Sequence, residues 1–268
     1  MGRETALQIA ARFRNLREIW LIARSEPALY QLQKELSKRG VRGIVLAGDL
    51  TDSAFLEMLR ERLHEEHPGI ACLVNASGFG KVGDFAALPE KAQADMVSLN
   101  CTALLRLCRI SMPYLLDGYG RILNFASAAA FLPQPHFAVY AATKAFVLSL
   151  SESLAEELRP RRITVTAICP GPVRTAFFSV AEEFYAEPLY KRIFYADPHR
   201  VVKKALRDSL HGKVLSVYGA SMQFVRILSH ILPHRFLFAA MSVLNTAPKA
   251  RRITTQPAKK KREALPHA

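Results

Sequence analysis

The stretch NFASAAAFLPQPHFAVYAATK, residues 124–144, holds a serine, a tyrosine and a lysine whose spacing can move a proton. On a helix, Tyr140 and Lys144 stand four residues apart and share one face. An ammonium beside a phenol favours the phenolate, which lowers the cost of donating or accepting a proton near neutral pH. Ser127, at the end of the preceding strand, is placed to hydrogen-bond a substrate oxygen as charge develops on it. Taken alone, the pair also fits a bland arrangement in which Tyr140 packs on a sheet and Lys144 stays in water.

Positioning these groups falls to a regular alternation of elements. Apolar runs at 18–24, 41–50, 71–77, 120–127, 163–171 and 213–219 read as strands. Helical patterns lie at 4–14, 26–39 (ending at Gly40), 53–66 (capped by Thr51 or Asp52), 137–158 (ended by Pro160) and 198–210; 89–117 is helical with a break near Pro113. Strands flanked by helices throughout imply an α/β fold, a doubly wound parallel sheet with helices on both faces. Such a sheet binds its ligand at the carboxyl ends of the strands. The small or polar residues at those ends are Arg24, Asp49, Asn75, Ser127, Pro170 and Gly171. Residues 173–197, with clustered aromatics and two prolines, read as a mobile cover over a cleft.

Half of the 268 residues are apolar, enough for the core of one domain with a small extension. No run of 18 uncharged apolar residues occurs, which argues against a spanning helix. The start, MGRETALQIAARFR, is an amphipathic pattern that gives no support for secretion, so a cytoplasmic location is expected. Cys72, Cys101, Cys108 and Cys169 sit in apolar stretches without CxxC or zinc-like spacing and read as reduced core thiols, with no metal. The net charge of +14 includes +6 from the last twenty residues and favours anionic partners without choosing among them. The KKKR run lacks a recognition helix or aromatic platform, so no specific nucleic-acid partner is expected.

Several ordered motifs then carry a resemblance: GRETALQIA, LIAR, DLTD, LVNASG with the following FG, the asparagine of VSLN, GRILNFAS, YAATK and PGPVRT. From Gly2 to about residue 220 the chain resembles the classical short-chain dehydrogenases/reductases, closest to a bacterial branch with NASGFG, YAATK and PGPVRT. The resemblance implies a Rossmann-like fold and hydride exchange between NADP(H) and a ketone or secondary alcohol. It makes Tyr140 the general acid/base, and gives Lys144 the tasks of lowering the tyrosine's pKa and holding the nicotinamide ribose. Ser127 would orient the carbonyl, and Asn100 would distort its helix and complete a proton relay through a water. The implied cofactor contacts are Gly2 and Gly78 where backbone approaches closely, and Asp49 with the Leu50 backbone at the adenine. Asn75 and Ala76 lie beside them, and Pro170, Gly171, Val173 and Thr175 form the loop at the nicotinamide. Arg24, helped by Ser25, stands where NAD-selective relatives carry an acid; a guanidinium there favours the 2′-phosphate of NADP(H) over NAD(H). Ala76 replaces the family's second asparagine, which predicts a locally weaker sheet.

The family's first strand and most of its TGxxxGxG loop have no counterpart here. Only Gly2 and Arg3 match. Losing that strand would expose two ladders beside 18–23 and 71–75 and leave an apolar groove. A start lying downstream of the true one is the preferred explanation; the alternative is an impaired homologue that serves as a nucleotide-binding or scaffold protein. Residues 1–220 would form the dinucleotide-binding catalytic domain, 221–247 an apolar helical extension and 248–268 a basic disordered tail.

Phe79, Phe131, Leu132, Phe137, Pro172, Phe177, Phe178 and Tyr185 are expected around the substrate, implying an apolar cleft and a small apolar carbonyl or alcohol. Residues 222–246 are expected to pack as a helix pair, in preference to lying on a membrane with the tail. A homodimer or homotetramer through the helices near 95–115 and 137–158 is a further implication of the resemblance.

Overall fold

A computed structural model describes residues 1–13, 15–175, 177, 195–233 and 235–238. Helix α1 (Gly2–Arg12) precedes strand β1 (Glu18–Ala23), followed by α2 (Glu26–Ser37), β2 (Arg42–Ala47) and α3 (Ser53–Glu66). Asp52 caps α3 by accepting from the Ala54 N–H at 2.9 Å, which selects it over Thr51. Strand β3 (Cys72–Asn75) leads to α4 (Glu90–Val97) and α5 (Leu104–Ser111), and the pattern continues with β4 (Arg121–Phe125), α6 (Ala138–Glu157) and β5 (Thr164–Ile168). Then come α7 (Pro198–Leu210), β6 (Leu215–Ser216) and α8 (Ala220–Ile231).

The expected single helix over 89–117 is in fact composite. A π-helical turn, Ser98–Ala103, separates α4 from α5, and Pro113 sits in a 3₁₀ turn at Met112–Tyr114. Strands predicted at 71–77 and 213–219 shrink to Cys72–Asn75 and Leu215–Ser216, because pairing extends no further on their neighbours.

Every ladder is parallel, and helices cover both faces, a Rossmann-like arrangement. The alternation along the strands assigns the faces. Ile122, Val165 and Ala167 pack against Leu104 of α5 and Val147 and Leu154 of α6. Leu123, Phe125 and Ile168 point the other way, onto Ile9 of α1 and Val202 and Leu206 of α7.

Among the described residues the strands form two sets, β1-β2 and β3-β4-β5-β6, with no ladder between β1 and β3. The groove predicted between them is present as a cavity of about 510 Å³, lined by Ile19 and Leu21 on one wall and Leu73 and Asn75 on the other. Two packing bridges span the division. The α1 helix touches both sets, through Leu7 near Leu21 and through Ile9 near Phe125. On the opposite face, α3 and α5 share a cluster with Leu46 and Trp20. Among the described residues no helix is long and apolar enough to cross a membrane.

Candidate active site

Strand β4 ends at Phe125, and Ser127 follows in extended backbone at the head of a 3₁₀ turn, Ala128–Phe131. Its hydroxyl oxygen accepts from the Ala129 N–H at 3.2 Å. The next residue ties this loop to the end of β5: the Ala128 N–H donates to the Pro170 carbonyl at 2.8 Å. Tyr140 lies in the first turn of α6, buried, with its ring stacked on Phe137 at 4.3 Å and tilted against Phe177 at 5.3 Å. One turn later Lys144 is only 5% exposed, its Nζ donating to the Phe125 carbonyl at 2.7 Å.

The protonation of this pair differs from the sequence expectation. Burial pushes the Tyr140 phenol up to about 12, against the downward pull of its hydrogen bond with Ser127. Burial also pushes Lys144 down to about 8, with the neighbouring Cys101 and Cys169 thiols acting in the opposite direction. The Lys144 ammonium lies 5.7 Å from the Tyr140 ring centroid and is turned to a backbone carbonyl. Desolvation is the largest cause of both shifts, and at about 12 the Tyr140 phenol keeps its proton at neutral pH. The four cysteines are free thiols, and burial pushes Cys169 up to about 12.

Asn100 occupies the π-helical turn. Its amide oxygen accepts from the Phe79 N–H at 3.1 Å, while its Nδ2 donates to the Phe79 carbonyl at 2.8 Å and to Thr143 Oγ1 at 3.0 Å. This clamp joins the loop after β3 to α6. Gly78 lies against it so closely that a Cβ there would stand 2.9 Å from Asn100 Oδ1 and 3.4 Å from Lys144 Nζ. Deeper in the sheet, Asn75 Nδ2 donates to Asn124 Oδ1 at 2.8 Å, and Asn124 Nδ2 donates to Ser151 Oγ at 2.9 Å. Asn124, which the sequence reading passed over, thus links β3 to α6 where Ala76 offers no amide. The buried Asn75 oxygen has no hydrogen-bond partner among the described residues, and Asn75 lines the groove.

The residues expected at the adenine end gather around the carboxyl ends of β1 and β2. Asp49 Oδ1 accepts from the Thr51 N–H at 2.8 Å and its hydroxyl at 2.7 Å, and these bonds hold the carboxyl below its ordinary range. Arg24 Nη1 stands 3.9 Å from Asp49 Oδ2 with its side chain 76% exposed. Ser25 precedes α2 as its N-cap without a side-chain cap bond, and Leu50 is buried. Gly2 opens α1, whose first-turn N–H groups receive no side-chain cap, while Arg3 pairs with Glu35 at 2.6 Å.

A cleft of about 320 Å³ opens over Tyr140, lined by Ser127, Lys144, Ala76, Gly78, Pro170, Gly171, Val173 and Thr175. Leu132, Phe137, Pro172 and Phe177 line it as anticipated. Phe131 instead belongs to the core, and Phe79 packs behind Phe137 and Met96. Phe178, Tyr185 and most of the 173–197 cover lie outside the described residues. Met222 and Val225 of α8 were missed and complete the wall; a Cβ on Gly171 would reach Met222 Sδ at 2.8 Å. Their three-residue spacing on an apolar helix was the available signal, but it is shared by any packed helix.

A parallel sheet with a Ser-Tyr-Lys group at its carboxyl edge, the tyrosine and lysine buried, defines a class, and the comparisons agree with it. The short chain dehydrogenase family profile matches residues 1–185. The chain belongs to the short-chain dehydrogenase family. It is 31% identical over 180 residues to the uncharacterized oxidoreductase YghA of Escherichia coli (strain K12), covering 66% of this chain and 60% of that protein. Among solved structures it is similar to a short-chain dehydrogenase from Sphingobium yanoikuyae in complex with NADPH (TM-score 0.73, 28% identity, 94% of each chain). A bulky-bulky ketone specific alcohol dehydrogenase from Comamonas testosteroni gives a TM-score of 0.69 at 27% identity, again over 94% of each chain.

Proposed function

We propose that the protein is an NADP(H)-dependent oxidoreductase that interconverts a ketone and a secondary alcohol on a largely apolar substrate, without a metal. The observation that carries this reading is the meeting of Ser127, Tyr140 and Lys144 on the floor of one apolar cleft. The nicotinamide end of a dinucleotide fits the residues present. The tight cradle at Gly78, Asn100 and Lys144, which a Cβ would fill, admits close approach of a ligand. Val173 and Thr175 offer backbone and hydroxyl groups on the same cleft. Exposed Arg24 is available to a 2′-phosphate, and the open first turn of α1 to a pyrophosphate. The relative in complex with NADPH and the one specific for bulky ketones support the same choice of cofactor and substrate.

When bound, the nicotinamide supplies or takes up hydride. The Ser127 hydroxyl holds the substrate oxygen, and Tyr140, protonated at neutral pH, gives that oxygen its proton in the reducing direction. Lys144, near 8, is a proton source behind it and a donor for ribose hydroxyls. Asn100 is a positioning residue that fixes the Phe79 backbone. Assembly as a dimer or tetramer belongs to this reading, since α4, α5 and α6 expose Val97, Leu105 and Phe146.

The test is NADPH consumption with a panel of bulky apolar ketones, comparing the native chain with Tyr140→Phe. Turnover should fall by roughly 100-fold or more, the usual size of a lost acid/base group, while the NADPH dissociation constant stays within about threefold. Native-like turnover by the variant would overturn the assignment. The open groove between β1 and β3 favours a second reading, a nucleotide-binding or scaffold protein. Tight NADPH binding with no hydride transfer to any ketone would select it.

A further inference from the structure

Helix α8 has two apolar faces where a surface helix needs one. Met222, Val225 and Ser229 fall within an arc of about 60° at 3.6 residues per turn, and this side meets the protein body. Met222 and Val225 line the cleft, and Ser229 is buried. On the other side Phe224, Ile227 and Ile231 fall within a second arc of about 60°. They are 63%, 55% and 71% exposed, and Leu232, Phe236 and Phe238 continue the exposed apolar surface beyond the helix. Residues 239–246 of the helix pair expected over 222–246 lie outside the described residues. Among the described residues the outward stripe of α8 is exposed, at a cost that grows with each exposed aromatic or branched side chain.

We propose that this outward stripe of α8 is a docking surface for an anionic lipid bilayer. Charge decides between a bilayer and a second copy of the chain. The Arg235 guanidinium, beside the apolar surface that continues the stripe, lies 4.9 Å from the Phe236 ring centroid. The last twenty residues, which follow shortly in sequence, carry seven Lys or Arg and one Glu. Two copies meeting through this region would bring like charges together, whereas phosphatidylglycerol or a similar headgroup is complementary to them. Geometry agrees. Twelve residues make a helix about 18 Å long, too short to cross a hydrocarbon core and suited to lying in the interface with its apolar face down.

The docking stands apart from the catalytic reading. Joined to it, the surface deepens it: the cleft wall formed by Met222 and Val225 lies one helix diameter, about 10 Å, from lipid. A substrate dissolved in the bilayer would reach the cleft along the same helix.

The experiment is co-sedimentation of the full chain with vesicles of phosphatidylcholine alone and of phosphatidylcholine with one quarter phosphatidylglycerol. Binding should be at least tenfold tighter to the anionic vesicles and should weaken with salt. A Phe224→Ser, Ile227→Ser, Ile231→Ser chain should lose at least tenfold in binding while its far-ultraviolet dichroism is unchanged. A Phe224→Trp chain provides a reading that does not depend on that triple variant folding. Its added emission should shift to shorter wavelength on the vesicles and be quenched by brominated lipid. Three results would overturn the proposal: no binding to anionic vesicles, undiminished binding by a folded triple variant, or unshifted emission from the added indole with bound protein. Concentration-dependent dimers that disappear in the triple variant, with vesicle binding unaffected, would assign the stripe to a second copy and overturn it equally. Loss of ketone reduction in any of these chains leaves the docking result readable, because vesicle binding needs no turnover.

Discussion

Lys144 is buried to 5% exposure while its ammonium donates to the Phe125 carbonyl. Because its folded-state pKa is lowered to about 8 from 10.5, the unfolded chain binds more protons between those two values. The contribution of Lys144 to stability therefore rises with pH across that window and is least favourable below pH 8. The span corresponds to roughly 3 kcal/mol. Urea unfolding of the native chain and Lys144→Met should show a stability difference that moves in favour of the native chain from pH 7.5 to 10.5; a constant difference would contradict the burial argument. The raised thiols Cys108 and Cys169 act with opposite sign above pH 9, and Cys169 is coupled to Lys144 and does not cancel between the two chains, so the comparison is clearest from pH 7.5 to 9. At the other end of the site, Arg24→Asp should shift the ratio of NADPH to NADH dissociation constants toward NADH by about tenfold or more, since a charge-assisted pair is replaced by a repulsive one. Equilibrium fluorescence titrations of both nucleotides read that ratio, and an unchanged value removes Arg24 from the phosphate site. The spacing of Tyr140 and Lys144 was legible from sequence, but their protonation was not. It follows chiefly from burial, which raises Tyr140 and lowers Lys144 and which only the fold creates.

The loop after β3 and the turn between α4 and α5 hold each other through Asn100. Gly78→Ala would push a methyl group to 2.9 Å from the Asn100 amide oxygen, so the clamp must shift. Nucleotide binding should weaken at least tenfold while the melting temperature drops only a few degrees, as expected for overpacking costing about 1–3 kcal/mol. An unaffected dissociation constant would remove Gly78 from the cofactor cradle. On the opposite wall, Met222→Ala should raise KM for bulky ketones and leave kcat within about threefold, because the side chain meets substrate and transition state alike. Steady-state kinetics would separate this from a structural role, which lowers both. Apolar periodicity and caps made most elements readable, including Asp52 before α3. The π turn was foreshadowed only through the resemblance, and the Asn75–Asn124–Ser151 chain not at all. Such links join residues far apart in sequence, and a buried amide carries no periodic signature.

At the scale of the whole molecule, no ladder joins the β1-β2 pair to the four-stranded set among the described residues, and side-chain packing, chiefly of α1, α3 and α5, connects them. Backbone ladders are short-range and directional, whereas packing bridges yield more gradually, so the two sets should open as separate units. Native-state hydrogen exchange should give β1 and β2 amides a lower opening free energy than β4 and β5 amides, and calorimetry should resolve two transitions. One coincident transition by both methods would show that the helices couple the sets fully. On the proposed function the division has a thermodynamic consequence. The two ends of one dinucleotide would be gripped by opposite halves, Arg24 and Asp49 on one and Tyr140 and Lys144 on the other. The nucleotide then acts as a staple, and saturating NADPH should merge the two melting steps into one, with part of its intrinsic affinity spent on ordering the halves against each other.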